Sequence, residues 1–151
     1  MLFPFLLSRA LLPKLRKAPG PAKLVFIGAF AGDVDLPYLA SYCASKAFVK
    51  RLSGCLGQDE RLWSPTNVST MYMNVGSIVS GSHKAEPSLS SPSSASFAKA
   101  VVDKIGHEDR VVVPWLPHAV QFWSVTSMPS AVMDKVLAQA MQQSLEAAKK
   151  L

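Results

Sequence analysis

Several features that mark specialised classes of protein are scarce in this chain of 151 residues. Its two cysteines, Cys43 and Cys55, fall on one predicted helix about 18 Å apart along the axis, too far for a disulfide. Its three histidines are dispersed, so we predict no metal site. No run of about 18 apolar residues is present, so we expect no membrane-spanning helix. Apolar residues make up 49% of the chain and charged residues 17%, which excludes a disordered protein. We therefore expect one globular domain over residues 1–151.

The net charge of +6 raises the question of nucleic-acid binding. The lysines and arginines are scattered along the chain, and no basic stripe interleaved with aromatic residues is present. We therefore predict that nucleic acid is not a partner. A cationic surface that attracts an anionic nucleotide or acyl-CoA phosphate is one interpretation of the charge. Solvated lysines without a specific ligand are the simpler one.

Helical and extended patterns alternate along the chain, which predicts the α/β class with about three parallel strands and flanking helices. Right-handed crossovers are expected between the strands. Residues 75–93 are rich in serine, glycine and proline and are predicted to form a loop, and residues 114–129 are predicted to be irregular. The predicted strands are 23–28, 68–74 and 110–113, and the predicted helices are 3–17, 39–62, 93–105 and 131–150.

A tyrosine and a lysine four residues apart are the first candidates for chemistry. Tyr42 and Lys46 fall on one predicted helix, where this spacing puts two side chains on the same face. A nearby ammonium group favours the phenolate and lowers the pKa of a tyrosine from its usual value of about 10. Such a tyrosine can exchange a proton with a carbonyl or hydroxyl group. A packed tyrosine beside a solvated lysine is the alternative.

The residues around this pair extend the pattern. An apolar strand, Lys23–Gly28, leads through a turn of small residues into the helix that carries Tyr42 and Lys46. This order resembles the short-chain dehydrogenase/reductase family, in particular its branch of very-long-chain 3-oxoacyl-CoA reductases and 17β-hydroxysteroid dehydrogenases. The resemblance covers nearly the whole chain but only the second half of a family member, so the fold it implies is a partial, doubly wound Rossmann-type domain. The branch resemblance rests on Leu11–Pro13, Ala98–Gly106 and Val111–Ala119.

The resemblance implies a set of roles. Tyr42 would be the catalytic acid and base, and Lys46 would tune it and bind the nicotinamide ribose of NADP(H). Gly76 and Ser80 belong to the stretch Val75–Ser80, which is similar to the family's PGxVxT loop beside the nicotinamide, with valine in place of proline. The substrate would be a hydrophobic keto or hydroxy compound of lipid, steroid or polyketide type.

Two departures from the family pattern predict impaired chemistry. The family's TGxxxGxG phosphate loop does not occur in this sequence, and Ala29 stands at the position of the catalytic serine. We therefore predict little or no dehydrogenase turnover from this polypeptide alone. One alternative is a truncated, non-catalytic relative that binds a partner through the apolar edge at residues 23–28, as a homo-oligomer or with a full-length relative. Another is a fragment from an incomplete gene assignment.

The sequence leaves the cellular location of the protein open. Residues 1–17 are apolar and basic, which permits a mitochondrial presequence, although a helix packed on the sheet is the favoured interpretation. Either a cytoplasmic or an endoplasmic reticulum location agrees with the resemblance. An aromatic group, Trp115, Phe122 and Trp123, fits contact with a membrane surface or acyl chain about as well as core packing. For His118 we expect a packed or capping role.

Overall fold

The computed structural model describes residues 2–81 and 86–148, and its centre is a parallel sheet of three strands in the order β1-β2-β3. This confirms the predicted α/β class. Ala22 pairs with Val68 at one end of the β1–β2 ladder and Ile27 with Met73 at the other. The strands are β1 (Ala22–Ile27), β2 (Val68–Met73) and β3 (Val111–Val112); the helices are α1 (Leu2–Leu15), α2 (Ala40–Gln58), α3 (Ser94–Ile105), α4 (Leu116–Thr126) and α5 (Ser130–Ala148).

One element differs from the sequence prediction. Residues 114–129 were predicted to be irregular, and this is wrong, because α4 occupies 116–126. The prolines and aromatic residues of this segment suggested irregular structure. Pro117, however, lies in the first turn of α4, where a helix loses no hydrogen bond to a proline. The helix buries His118 completely.

The central strand β2 is buried on both faces. On one face, Met71 and Met73 pack in an apolar cluster with Phe97 of α3 and Val112 of β3. The opposite face carries Thr70, Tyr72 and Asn74, which lie against α2 and its preceding loop. The helix approaches closely there, since a Cβ at Gly57 would collide with the Thr70 hydroxyl. A polar strand face under α2 therefore supports the helix that carries Tyr42.

Strand β1 forms one edge of the sheet in the part of the chain that the structure describes. It pairs with β2 alone, and Ile27 at its end is 54% exposed. Unpaired strand edges can accept a further strand from another polypeptide. Within residues 2–81 and 86–148, no helix is long and apolar enough to cross a bilayer.

A buried carboxylate fixes α1 to the C-terminal end of α2. Glu60 lies in the π-helical turn Asp59–Trp63 that follows α2, and it is 1% exposed. Arg16 donates to both of its oxygens, with Nε at 3.0 Å from Oε2, and Thr66 Oγ1 donates at 2.6 Å. The bond from Arg16, followed by that from Thr66, lowers the pKa of Glu60 against the opposing effect of burial.

We expect Glu60→Gln to destabilise the fold by about 1–3 kcal/mol, because a neutral amide cannot accept all three hydrogen bonds. The lowered pKa means that the carboxylate stabilises the fold above its unfolded value, about 4.3, and that this contribution is lost as the pH falls through the folded value. Denaturant unfolding at pH 7 and under acid conditions measures both effects. Glu108→Gln, at an exposed position, is the control, and equal losses in the two variants would contradict the prediction.

Candidate active site

The carboxyl ends of β1 and β2 bring two short segments side by side. The N–H of Gly28 donates to the Met73 carbonyl at 2.8 Å, and the N–H of Phe30 donates to the Val75 carbonyl at 3.0 Å. Ala29 thus lies beside the start of the loop that contains Gly76. Ligands bind at this edge of open parallel sheets.

A short 3-10 turn, Phe30–Gly32, then carries the chain from β1 to α2. Its last residue packs directly on the helix: a Cβ at Gly32 would lie 3.0 Å from the carbonyl carbon of Lys46. Glycine therefore permits the close approach that puts the first turns of α2 beside the strand ends. Tyr38 lies two residues before the first residue of α2. Its φ of 64° falls in the left-handed region that bulky residues rarely adopt.

Tyr42 and Lys46 lie on the same side of α2. The Nζ atom of Lys46 is 5.5 Å from the centroid of the Tyr42 ring. Tyr42 is 42% exposed and Lys46 is half-buried, so the phenol is open to a substrate while the amine is partly shielded. The expected juxtaposition of phenol and amine is therefore present, and their catalytic role remains a prediction.

A polar cluster fixes the loop that leads to this pair. Lys50 of α2 forms an ion pair with Asp33, and the Asn74 side-chain amide donates to the other oxygen of Asp33 at 2.9 Å. Asn74 is fully buried. Loop, helix and strand end are thereby joined at one carboxylate, which ties the loop before α2 to the middle of that helix.

Tyr72 occupies the space beside the β1 strand end. It is 1% exposed, and a Cβ at Gly28 would collide with the Cζ and Oη atoms of its ring. Its hydroxyl accepts a hydrogen bond from the Ala29 N–H at 3.2 Å. Burial is the main cause that raises the pKa of Tyr72 above its usual value. Tyr72 is therefore a neutral hydroxyl at neutral pH.

We expect Gly28→Ala to destabilise the fold by about 1–3 kcal/mol, because the added methyl group meets a buried ring that has little room to move. Gly54→Ala is the matched control: its methyl would meet nothing within 4 Å, and it lies inside α2, where alanine is favoured over glycine. The measurement is the free energy of unfolding in denaturant. A Gly28→Ala protein as stable as the parent would contradict this packing.

Gly76 is held by a buried histidine. Its N–H donates to Nδ1 of His118 at 3.4 Å, and a Cβ at Gly76 would lie 2.8 Å from the imidazole Cδ2. The other ring nitrogen, Nε2, is 3.2 Å from the Ser90 carbonyl, which requires a proton on Nε2 and leaves Nδ1 as the acceptor. His118 therefore joins the loop after β2 to the segment before α3.

Ser80 lies further along the same loop. It is exposed and follows Val79, which forms a β-bridge with Ser93 and accepts a hydrogen bond from Ser94 Oγ at 2.6 Å. The structure thus places Gly76 at the strand edge with Ala29, and Ser80 on a segment attached to the start of α3. The predicted contact of both residues with a nicotinamide remains a prediction.

Sequence reasoning assigned no function to Tyr72, because the strand pattern indicates a different environment for this side chain. Strand β2 alternates Thr70, Tyr72 and Asn74 with apolar residues, a pattern typical of a strand with one solvent-facing side. The structure instead buries this polar face under α2. A buried tyrosine on such a face needs a hydrogen-bond partner, and the strand pattern alone does not show which one.

Comparison with known proteins assigns the family. The sequence profile of the short chain dehydrogenase family matches residues 2–88, more than half of the chain, and the chain belongs to this family. It is 29% identical over 140 residues to a very-long-chain 3-oxoacyl-CoA reductase of Schizosaccharomyces pombe, an alignment that covers 88% of this chain and 40% of that protein. It is 30% identical over 131 residues to putative steroid dehydrogenase 3 of Caenorhabditis elegans, which covers 85% of this chain and 40% of that protein.

A solved structure supports the same fold. The crystal structure of a short-chain dehydrogenase from Streptomyces avermitilis superposes with a TM-score of 0.61 at 20% identity. The match covers 95% of this chain and 56% of that one. The chain therefore has the Rossmann-like fold of the family, and it spans 40% of the length of each of the two curated relatives above.

Proposed function

We propose that Tyr42 and Lys46 form the proton-transfer pair of a reductase site for a hydrophobic keto or hydroxy substrate. The observation that carries the proposal is the placement of the Lys46 amine 5.5 Å from the centroid of a phenol that is open to solvent. Both side chains project from the first turns of α2, next to the carboxyl edge of the sheet. The two curated relatives named above are a reductase of very-long-chain 3-oxoacyl-CoA and a putative steroid dehydrogenase, which supports a hydrophobic substrate.

The residues of this chain would act as follows. The Tyr42 hydroxyl donates its proton to the substrate carbonyl oxygen as that oxygen gains negative charge, and it takes the proton back in the oxidative direction. The positive charge of Lys46 stabilises the phenolate that remains after the proton has left. A second hydroxyl at residue 29 would polarise the same oxygen, and alanine does not supply it.

NADP(H) is the proposed cofactor, and it supplies the hydride when bound. Lys46, Gly76 and Ser80 would hold its nicotinamide end. The glycines that follow β1 do not fit the pyrophosphate: the space beside Gly28 is filled by the Tyr72 ring, and Gly32 packs on the backbone of Lys46. These residues therefore offer contacts to one end of the cofactor only, which is why we propose weak turnover from these 151 residues.

The test is product formation from a 3-oxoacyl thioester and from a hydrophobic ketone with NADPH, measured by mass spectrometry. We expect conversion far below the range of about 1–10³ s⁻¹ that is ordinary for enzymes. Conversion within that range contradicts the proposed impairment. Absence of product from both the natural chain and its Ala29→Ser variant contradicts the catalytic proposal itself.

A second candidate is an interaction protein, and the open edge of β1 favours it. The edge strand is paired on one side only in the described residues, and an extended partner segment can hydrogen-bond to such an edge. The partner would be a second copy of the chain or a full-length relative. A concentration-dependent mass in solution, lost on introducing proline at Val25, would support this candidate.

Helix α4 exposes an apolar face that is relevant to the question of membrane contact. Leu116, Val120 and Trp123 are 75%, 57% and 70% exposed and follow the i, i+4, i+7 spacing of one helix face. Such a face fits contact with an acyl chain or a membrane surface. This face and the similarity to a very-long-chain 3-oxoacyl-CoA reductase support our proposal of a cytoplasmic location or one at the endoplasmic reticulum surface.

A further inference from the structure

Tyr72 reaches the strand end of β1 from the neighbouring strand. Its side chain leaves the polar face of β2, passes beside Gly28, and ends at Ala29. Gly28 is buried, and only a residue without a Cβ leaves room for the tyrosine ring. Gly28 and Tyr72 are therefore a matched pair in which the aromatic ring fills the volume that a side chain at residue 28 would take.

The hydroxyl of Tyr72 bonds to both backbone groups of Ala29. The Ala29 N–H donates to Oη at 3.2 Å, and Oη donates to the Ala29 carbonyl at 3.3 Å. The residues on either side, Gly28 and Phe30, donate to the backbone of the chain at and after β2. Of these three consecutive N–H groups, two donate to backbone carbonyls, and that of Ala29 donates to a side chain.

Tyr72 and the proposed acid, Tyr42, each lie beside a lysine of α2. Burial raises the pKa of Tyr72, its hydrogen bond with Ala29 lowers it, and negative charge on Asp33 and on Tyr42 raises it further. Lys46, which lies beside the Tyr42 ring, and Lys50 are four residues apart on α2 and therefore project from one face of that helix. The Nζ atom of Lys50 is 5.9 Å from the Tyr72 ring centroid, and this lysine pairs with Asp33.

We infer that Tyr72 is a positioning residue of the site: its phenol holds Ala29 where residue 29 borders the substrate beside Tyr42. Because Tyr72 is 1% exposed, it acts through the backbone of Ala29 and not on the substrate. The inference rests on the proposed function, since that function makes Tyr42 and residue 29 border one substrate. It assigns a role to a hydroxyl that is 43 residues away from Ala29 in the sequence.

The test uses Tyr72→Phe, which keeps the ring and removes only the hydroxyl. In the full chain labelled with ¹⁵N and with ¹³C-tyrosine, amide hydrogen exchange at Ala29 is expected to rise by about two- to tenfold. The ¹³Cζ resonance of Tyr42 is expected to shift as well. The matched control is Thr70→Val, which removes another buried hydroxyl from the same face of β2, one that donates to the Ser53 carbonyl at 2.9 Å. It should leave amide hydrogen exchange at Ala29 unchanged.

Unchanged exchange at Ala29 in Tyr72→Phe, or an equal rise in Thr70→Val, overturns the inference. In an active Ala29→Ser background, Tyr72→Phe is further expected to lower kcat with KM for the substrate unchanged, because it disturbs placement and not binding. A fall in kcat shared by Thr70→Val would again overturn it. Absence of turnover from every variant counts against the proposed function, while the exchange and resonance measurements still decide the role of Tyr72.

Discussion

Ala29→Ser is expected to raise the rate of carbonyl reduction by about 10²–10³-fold, the effect of adding one hydrogen-bond donor to a developing negative charge. Residue 29 lies at the carboxyl edge of the sheet, with its N–H and carbonyl fixed by Tyr72. It is half-buried, so a hydroxyl has room at its side chain. The rate of product formation from a hydrophobic ketone and NADPH is the measurement.

Ala44→Ser is the control for this gain. It adds the same hydroxyl at an exposed position of α2 and is expected to leave the rate unchanged. Equal rates for the Ala29→Ser variant and the natural chain would show that residue 29 does not border the reacting oxygen. The sequence resemblance would then have assigned the wrong role to this position.

Tyr42→Phe is expected to lower the rate by about 10²–10⁴-fold, because no other group is proposed to donate the proton to the substrate oxygen. The change is best made in the Ala29→Ser background, where the starting rate is higher. Tyr42 is 42% exposed, so loss of its hydroxyl should leave the free energy of unfolding within about 0.5 kcal/mol of the parent value.

Tyr38→Phe is the control for this loss. Tyr38 lies four residues earlier, is 86% exposed, and has the same hydroxyl to lose. Its rate should match that of the parent. A Tyr42→Phe variant that retains the parent rate would remove Tyr42 from the reaction, and a matching loss in Tyr38→Phe would point to a disturbed loop.

The strands and most helices could be predicted because their signals are local. The apolar run at 23–28 lies between glycine and proline residues, and β1 forms at Ala22–Ile27. The predicted start of α3 was residue 93, and Ser93 caps this helix by accepting from the Ser96 N–H at 3.2 Å. Helix α4 was missed because prolines at a helix start and prolines in a loop give the same sequence signal.

The candidate site likewise contains one contact that the sequence predicts and others that it does not. Tyr42 and Lys46 are four residues apart, so helix geometry alone brings them together. Tyr72 meets Ala29, and His118 meets Gly76, only after β1, β2 and α4 have packed. A single sequence carries no signal for such pairings, because they depend on which strand face is buried and on the volume left by a glycine.

The central claim is that Tyr42 and Lys46 act as one unit, and a double-mutant cycle tests it most directly. In the Ala29→Ser background, the rates of Tyr42→Phe, Lys46→Met and the double variant are compared with that of the parent. We predict that, at saturating NADPH, the double variant is no slower than Tyr42→Phe alone, because the cofactor-binding role of Lys46 is then satisfied and its effect on the chemical step works through the tyrosine. Rate losses that multiply in the double variant would contradict the claim.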